Sequence, residues 1–255
     1  MTEKIATPVA LIVTVGLLVW AAARPSPWHP VVSYRTGLVG RTDGQIHNAR
    51  LAAESINGTI LQPGAVFSFN RIVGLWTADR GYVKAPVSYD GELIRSWGGG
   101  VCQTSTTLYN AALITGLEIV ERHRHQFPPR YAPPGQDAAV AHEDIDLRFR
   151  NPYHWPLKIE AAVESDWIVC RVLSQKPLGT SFSVERELRQ VTPPTEVTNV
   201  RAGDSSSPIR WRVVNRGLPG IRVAVYRRAT SGRTSTRILI SEDTYPPINR
   251  LVRGE

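Results

Sequence analysis

Apolar residues recur at two spacings along the chain, and these spacings predict where helices and strands form. A first helix is predicted to begin near Thr42 or Asp43, which are both good N-caps, and to stop at Gly58. Its apolar face carries residues at helical spacing: Ile46, Ala49, Ala53 and Ile56. A second helix is predicted over residues 101–115, with Gly116 as its stop.

Strand-type segments lie between and after these helices. Alternating or β-branched runs predict strands at 65–70, 118–125, 144–150, 156–164 and 167–173, and a hairpin over 86–94 around Asp90-Gly91. Short runs at 209–215, 221–228 and 236–241, separated by glycine turns, predict a small antiparallel module. The predicted fold is therefore α+β, with a mixed helix and antiparallel-strand domain at 33–176 and a small, basic, all-β module at 177–255.

The N-terminus carries nineteen consecutive uncharged residues, 5–23, which is just long enough for a membrane-spanning helix. The small residues 21–23 also offer a signal-peptide cleavage site, so residues 1–24 are predicted as a membrane anchor or a signal. A proline-rich spacer is predicted at 25–32. Both interpretations place the bulk of the chain outside the cytoplasm, either held at the cell membrane by a single span or secreted after cleavage.

The net charge of +8 is concentrated at the C-terminal end, where residues 176–255 hold fourteen Lys and Arg against seven Asp and Glu, a net of +7. Outside a bacterial cell the anionic partners are peptidoglycan, other wall polymers and lipid head groups, so nucleic acid is not predicted as a partner. The alternative is an arginine-rich β-surface without any partner.

Three glycines followed by a cysteine form the segment with the clearest chemical potential, GGGVCQTSTTLYNAAL at 98–113. Because Cys102 falls in the first turn of the second helix, the helix dipole favours its thiolate form. The glycines allow a substrate to approach the backbone, and the N–H groups of Cys102 and Gln103 are candidates for an oxyanion hole. The Gln103 side chain is a further candidate donor.

A cysteine nucleophile needs a base and a group that orients the base. His125 is the first candidate for the base, ahead of His123 and His142. Asp137 and Asp146 are the candidate orienting carboxylates, with Asn151 as an amide substitute.

Two structural alternatives stand beside catalysis: Cys102 as a small packed residue, and a disulfide between Cys102 and Cys170. No metal site is predicted, because the H-R-H spacing at 123–125 lacks a third ligand. No cofactor is predicted either, since the sequence contains no phosphate loop.

The stretch at about 33–176 closely resembles the VanW family, which is named from a gene of vancomycin B-type resistance clusters. The matching pieces, in family order, are INGTILQPGAVFSFNRIVG (56–74), RGY (80–82), GGGVCQTSTTLYNAAL (98–113), GLEIVERHRH (116–125), PPGQDAAV (133–140) and DLRFRN (146–151). His142 falls where the family pattern has a tyrosine or a small residue, which lowers it as a base. Six candidates fall within the recurring pattern: Cys102, Gln103, His125, Asp137, Asp146 and Asn151.

The resemblance implies an exported, membrane-anchored protein associated with the cell wall and glycopeptide resistance, and it supplies no reaction. Two hypotheses follow. The first is a cysteine-dependent amidase, peptidase or transpeptidase on cell-wall peptides. The second is a non-catalytic module that binds wall polymer or a partner, in which Cys102 is merely structural.

Overall fold

The computed structural model describes residues 27–89, 92–141, 144–200 and 211–254. The predicted membrane segment at 5–23, the turn at Asp90-Gly91 and the candidate base His142 lie outside these residues. Within the described ranges, no helix has the length and apolar character needed to cross a membrane. Antiparallel strands dominate these ranges and are accompanied by a few helices, which agrees with the predicted mixture of the two.

A four-stranded antiparallel sheet forms one layer of the part of the chain from residue 29 to residue 174. Its strands, in spatial order, are β1 (His29–Gly37), β9 (Trp167–Ser174), β8 (Leu157–Glu164) and β2 (Ile60–Leu61). Alternate residues of β8, namely Leu157, Ile159 and Ala161, are buried, as expected for a sheet with one face on a core. Because β1 begins at His29, residues 29–32 of the predicted spacer belong to the sheet.

Helix α1 (Asp43–Ile56) packs on this sheet and begins and ends where the sequence predicts. Thr42 and Gln45 form a capping box, in which the Thr42 hydroxyl accepts the Gln45 N–H and the Gln45 side chain accepts the Thr42 N–H. Gly58 follows the helix with a φ of 83°. The predicted apolar face is buried at Ala49, Ala53 and Ile56.

Helix α3 (Val101–Thr115) lies in the centre of the molecule and contacts α1, β1 and β9. Nearly all its side chains are buried, including polar ones that bond to neighbouring elements; the Thr36 and Thr107 hydroxyls, for example, lie 2.7 Å apart. The helix runs opposite to β1: Gln103 bonds to Gly37 at its start, and Ile114 near its end lines the same cavity as Val31.

A smaller sheet supports the loops around α3. In spatial order it contains β3 (Val66–Ser68), β7 (Arg148–Arg150) and β6 (Glu118–Glu121), and the Phe67 and Phe149 rings stack across it with centroids 4.6 Å apart. The strands predicted at 118–125 and 144–150 are therefore shorter than expected. A short helix α2 (Phe69–Val73), a 3₁₀ turn (Ala78–Arg80) and the hairpin β4 (Lys84–Tyr89) and β5 (Glu92–Trp97) lie between β3 and α3.

The C-terminal part contains two three-stranded sheets. One is antiparallel, with β10 (Ser181–Thr192), β13 (Gly220–Ser231) and β14 (Thr234–Tyr245) in that order. The other contains β11 (Glu196–Val200), β15 (Arg250–Gly254) and β12 (Trp211–Asn215). Strands β11 and β15 are parallel, so the module is not fully antiparallel as predicted. The first sheet contacts α3, and Arg227 donates to the Leu117 carbonyl at 2.6 Å.

Candidate functional site

Cys102 is the second residue of α3 and is partly exposed. Its thiol donates to the Val140 carbonyl at 3.3 Å. The position places the sulfur at the positive end of the helix dipole, as the sequence predicts.

The three glycines before Cys102 are required by packing against the protein itself. A Cβ on Gly98 would lie 2.6 Å from the Trp76 ring, and one on Gly99 would lie 2.7 Å from the Pro86 carbonyl oxygen. Gly100 has a φ of 109° and abuts the backbone of Gln45 in α1. The space predicted for a substrate is therefore filled by neighbouring parts of the chain, and these glycines fix where α3 begins.

His125 and Asp137 meet because two chain segments pair beside α3. The N–H of Ala139 donates to the His123 carbonyl at 2.8 Å in an isolated antiparallel bridge. His125, two residues after His123, therefore faces Asp137, which lies two residues before Ala139. The His125 Nδ1–H and the His125 backbone N–H both donate to Asp137 Oδ2, each at 2.7 Å. The carboxylate thereby holds the imidazole with Nε2 free for another partner.

That partner is the thiol of Cys102, which lies within hydrogen-bonding reach of the His125 side chain. Burial raises the pKa of Cys102, but the hydrogen bond and positive charge of His125 outweigh it, so the pKa lies below its ordinary value. Burial lowers the pKa of His125, but the bonds to Asp137 and Cys102 outweigh it and raise the pKa to about 9. The two shifts favour a thiolate–imidazolium pair.

Asp137 is fully buried and is held by residues that were not predicted as part of the site. Its Oδ1 accepts hydrogen bonds from the Tyr245 hydroxyl and, at 3.1 Å, from Arg122. Burial raises the pKa of Asp137, but the bond to His125 and the charge of Arg122 outweigh it and lower the pKa. Asp137 is therefore ionised while buried, and Arg122 in turn bonds both oxygens of Asp243 at 2.7 Å.

Tyr131 forms a further side of the site and was also missed from sequence. Its ring stands edge-on to the His125 ring with centroids 6.4 Å apart, and the guanidinium of Arg41 lies 5.0 Å from the Tyr131 ring centroid. Burial, and then the nearby Cys102 thiolate, raise the pKa of Tyr131 well above its ordinary value, so its hydroxyl stays protonated. It lies in the proline-rich loop 125–137, whose lack of periodicity gave no signal.

The predicted oxyanion hole is only partly available. The Gln103 N–H donates to the Gly100 carbonyl at 3.1 Å, and the Gln103 side chain donates to Thr36 and Gly37 on β1. Gln103 therefore ties α3 to β1 in this structure and does not face the thiol. Among the described residues the Cys102 N–H finds no acceptor, so this group alone is free to bind a developing oxyanion.

The remaining candidates make other contacts. Asp146 accepts from the Ser68 hydroxyl at 2.6 Å and the Asn70 N–H at 2.9 Å, so it supports the start of α2, and Asp137 is the carboxylate that bonds His125. Buried Asn151 bridges the Leu61 and Trp155 carbonyls. His123 bonds Glu121 at 3.0 Å on the surface.

The two thiols are not joined by a disulfide, so that alternative is wrong for this structure. Cys170 is fully buried on β9, where its register partners are Tyr34 and Ala161. Burial raises the pKa of Cys170 to about 12, which makes it an inert core residue.

Many arginines of the C-terminal part form ion pairs with neighbouring strands. Arg228 and Arg237 both pair with Glu185, and Arg222 pairs with Glu242 at 3.0 Å. The net charge of +7 over residues 176–255 already counts these carboxylates, so the ion pairs leave it unchanged.

A family model described as VanW like protein matches residues 44–173, which include Cys102, His125 and Asp137. The chain is 44% identical over 115 residues to the uncharacterized protein YoaR of Bacillus subtilis (strain 168), covering 45% of this chain and 38% of that protein. It is 32% identical over 139 residues to the vancomycin B-type resistance protein VanW of Enterococcus faecalis (strain ATCC 700802 / V583), covering 52% of this chain and 50% of that protein.

Two solved structures are similar to part of the chain. They are a G5 domain of HP0197 (19% identity, 30% of this chain and 97% of that one, TM-score 0.18) and the G5 domain of an IgA1 protease (18% identity, 29% and 89%, TM-score 0.21). TM-scores of this size do not establish a common fold. The chain spans half or less of the length of the two curated relatives above. The family match covers half of the chain, and by that match the chain belongs to the VanW-like protein family.

Proposed function

We propose that the protein is a cysteine-dependent amidase, peptidase or transpeptidase of the cell envelope that acts on peptidoglycan peptides. Cys102 is the nucleophile, His125 the base and Asp137 the group that orients the base. The observation that carries the proposal is the contact series from a buried carboxylate, through the imidazole, to a partly exposed thiol at a helix start.

The reaction follows from these groups. The Cys102 thiolate attacks the amide carbonyl carbon and forms a C–S bond, while the Cys102 N–H stabilises the oxyanion. The C–N bond breaks as His125 gives its proton to the leaving amine. Water, or an acceptor amine in transpeptidation, then attacks the thioester, loses a proton to His125, and releases the Cys102 thiolate.

The envelope location and the substrate class rest on sequence and family. Residues 5–23 are long and apolar enough for a membrane anchor, which would hold the remainder outside the cytoplasm. The relative in Enterococcus faecalis is named for vancomycin resistance, and vancomycin acts on the cell wall. Peptidoglycan stem peptides supply the amide bonds that this chemistry requires.

The first test is the pH dependence of Cys102 alkylation by iodoacetamide in the full chain carrying Cys170→Ala. We expect a midpoint below the ordinary thiol pKa of about 8.5. His125→Ala removes the contacts that lower the pKa and leaves burial, so its midpoint is expected above 8.5.

Turnover is tested with muropeptides analysed by mass spectrometry, where Cys102→Ala is expected to abolish cleavage. The imidazolium is lost as pH rises through about 9, so protonation of the leaving amine, and with it turnover, is expected to decline above that pH. Cleavage by Cys102→Ala at the parent rate, or a parent midpoint at or above 8.5, would contradict the proposal. A parent midpoint at or above 8.5 would favour the non-catalytic binding module.

A further inference from the structure

Strand β14 reaches the candidate site from the far end of the sequence. Tyr245, its last residue, is 1% exposed, donates its hydroxyl to Asp137 and accepts the Gly135 N–H at 2.8 Å. Asp243, on the same face, accepts hydrogen bonds from Nη1 of Arg122 on both of its carboxylate oxygens. More than one hundred residues separate these partners in sequence, so no local pattern predicts the contact.

The Asp137 loop is closely fitted to this C-terminal sheet. A Cβ on Gly135 would collide with Val225 and lie 3.2 Å from Val223, both on β13. Arg122 also donates to the Asp137 main-chain carbonyl at 2.6 Å, so it hydrogen-bonds both the backbone and the carboxylate of Asp137. The side chains of Arg122 and Asp243 are 6% and 9% exposed, which makes this a buried, charged cluster.

We propose that β14 is a functional part of the Cys102 site, in which Asp243 and Tyr245 are positioning residues that fix Arg122 and Asp137 so that the carboxylate faces His125. This proposal rests on the proposed cysteine chemistry and assigns the C-terminal sheet a role in it. Without Tyr245, the Asp137 carboxylate keeps only Arg122 on its Oδ1.

The charges around Arg122 determine whether loss of the Asp243 charge favours or disfavours the imidazolium form of His125. Arg122 faces two carboxylates, Asp137 and Asp243, so this group of three carries a net negative charge beside the imidazole. His125 itself faces Asp137, the Cys102 thiol and the edge of the Tyr131 ring, and Arg124 lies over the Tyr245 ring at 5.5 Å. Removing the charge of Asp243 leaves Arg122 less neutralised, which disfavours the imidazolium and, with it, the thiolate.

The experiment measures the pH profile of Cys102 alkylation by iodoacetamide in the full chain with Cys170→Ala. Asp243→Asn keeps the size of the side chain and is expected to move the midpoint up by about one pH unit, the lower end of the effect of a neighbouring charge, because Asp243 acts on His125 through Arg122 and Asp137. At pH values below both midpoints, alkylation should then be about tenfold slower.

Glu242→Gln is the matched control, because Glu242 is the preceding residue of β14 and pairs with Arg222 on the exposed face. Its midpoint is expected to stay at the parent value. Tyr245→Phe, which removes one hydroxyl and keeps the ring, is the second variant, and several-fold slower alkylation is expected at pH values below both midpoints. If Asp243→Asn does not fold, Tyr245→Phe alone tests the positioning role of β14.

The outcomes separate this proposal from the proposed function. A low parent midpoint that His125→Ala raises, but that folded Asp243→Asn and Tyr245→Phe leave in place, overturns the positioning role alone. A purely structural role for β14 lowers the melting temperature of these variants without moving the pH profile. A parent midpoint at or above 8.5 overturns both proposals.

Discussion

Replacement of Gly100 by alanine tests how the start of α3, and Cys102 with it, is held in place. The φ of 109° at this residue lies in a region that residues with a side chain rarely adopt. The new Cβ would lie 2.9 Å from the carbonyl carbon and 3.1 Å from the Cα of Gln45, and closer still to the carbonyl oxygen. Carbon atoms in ordinary contact are about 3.5 to 4.0 Å apart, so helix α1 or α3 must move.

The expected loss of stability has two parts. The strained backbone costs about 1 to 3 kcal/mol, and overpacking against a main chain costs about 1 to 3 kcal/mol more. We therefore expect Gly100→Ala to lower the free energy of unfolding by about 4 kcal/mol. Gly58→Ala is the control, since Gly58 has a φ of 83° but nothing within 4 Å of its Cβ, and it should lose only about 1 to 2 kcal/mol.

Thermal unfolding followed by circular dichroism measures the difference. At about 2 to 4 °C per kcal/mol for a chain of this size, Gly100→Ala should melt about 12 °C below the parent and Gly58→Ala about 4 °C below it. Equal losses in the two variants would refute the claim that the glycines before Cys102 are required by packing.

Two further predictions concern residues near the site or in the core. Cys170, whose pKa burial raises to about 12, is expected to resist iodoacetamide at pH 8 in the native chain while Cys102 reacts; peptide mapping checks this, and equal labelling would contradict it. Asp146→Ala removes the acceptor of the Ser68 hydroxyl and the Asn70 N–H, and is expected to lower stability by about 1 to 2 kcal/mol without moving the Cys102 alkylation midpoint. A shift of that midpoint in Asp146→Ala would show that Asp146 also acts on His125.

The elements that sequence predicts well are those whose signals are local. The capping residue Thr42 and the glycines Gly58 and Gly116 mark helix ends through their own backbone geometry, and the structure has α1 and α3 between them. His125 as the partner of Cys102 also follows from local reasoning, because a strand leaving α3 returns toward its start.

What sequence does not supply is long-range pairing. The prolines near the start of β1 predict a spacer up to residue 32, but β1 already begins at His29. Pro30 is tolerated there because β1 lies at the edge of the sheet. The choice between Asp137 and Asp146 depends on the bridge between His123 and Ala139, which no spacing predicts. The same holds for Arg122 and its bond to β14.

The opposite directions of β1 and α3 set a standoff distance. The chain enters the folded part at His29, and eight strand steps of about 3.3 Å carry it about 26 Å to Gly37, beside the start of α3. The chain before His29 therefore joins the folded part about 26 Å from the start of α3. A tether attached before His29 would be separated from the thiol by the full length of β1, so the thiol would lie at the end of β1 away from the attachment.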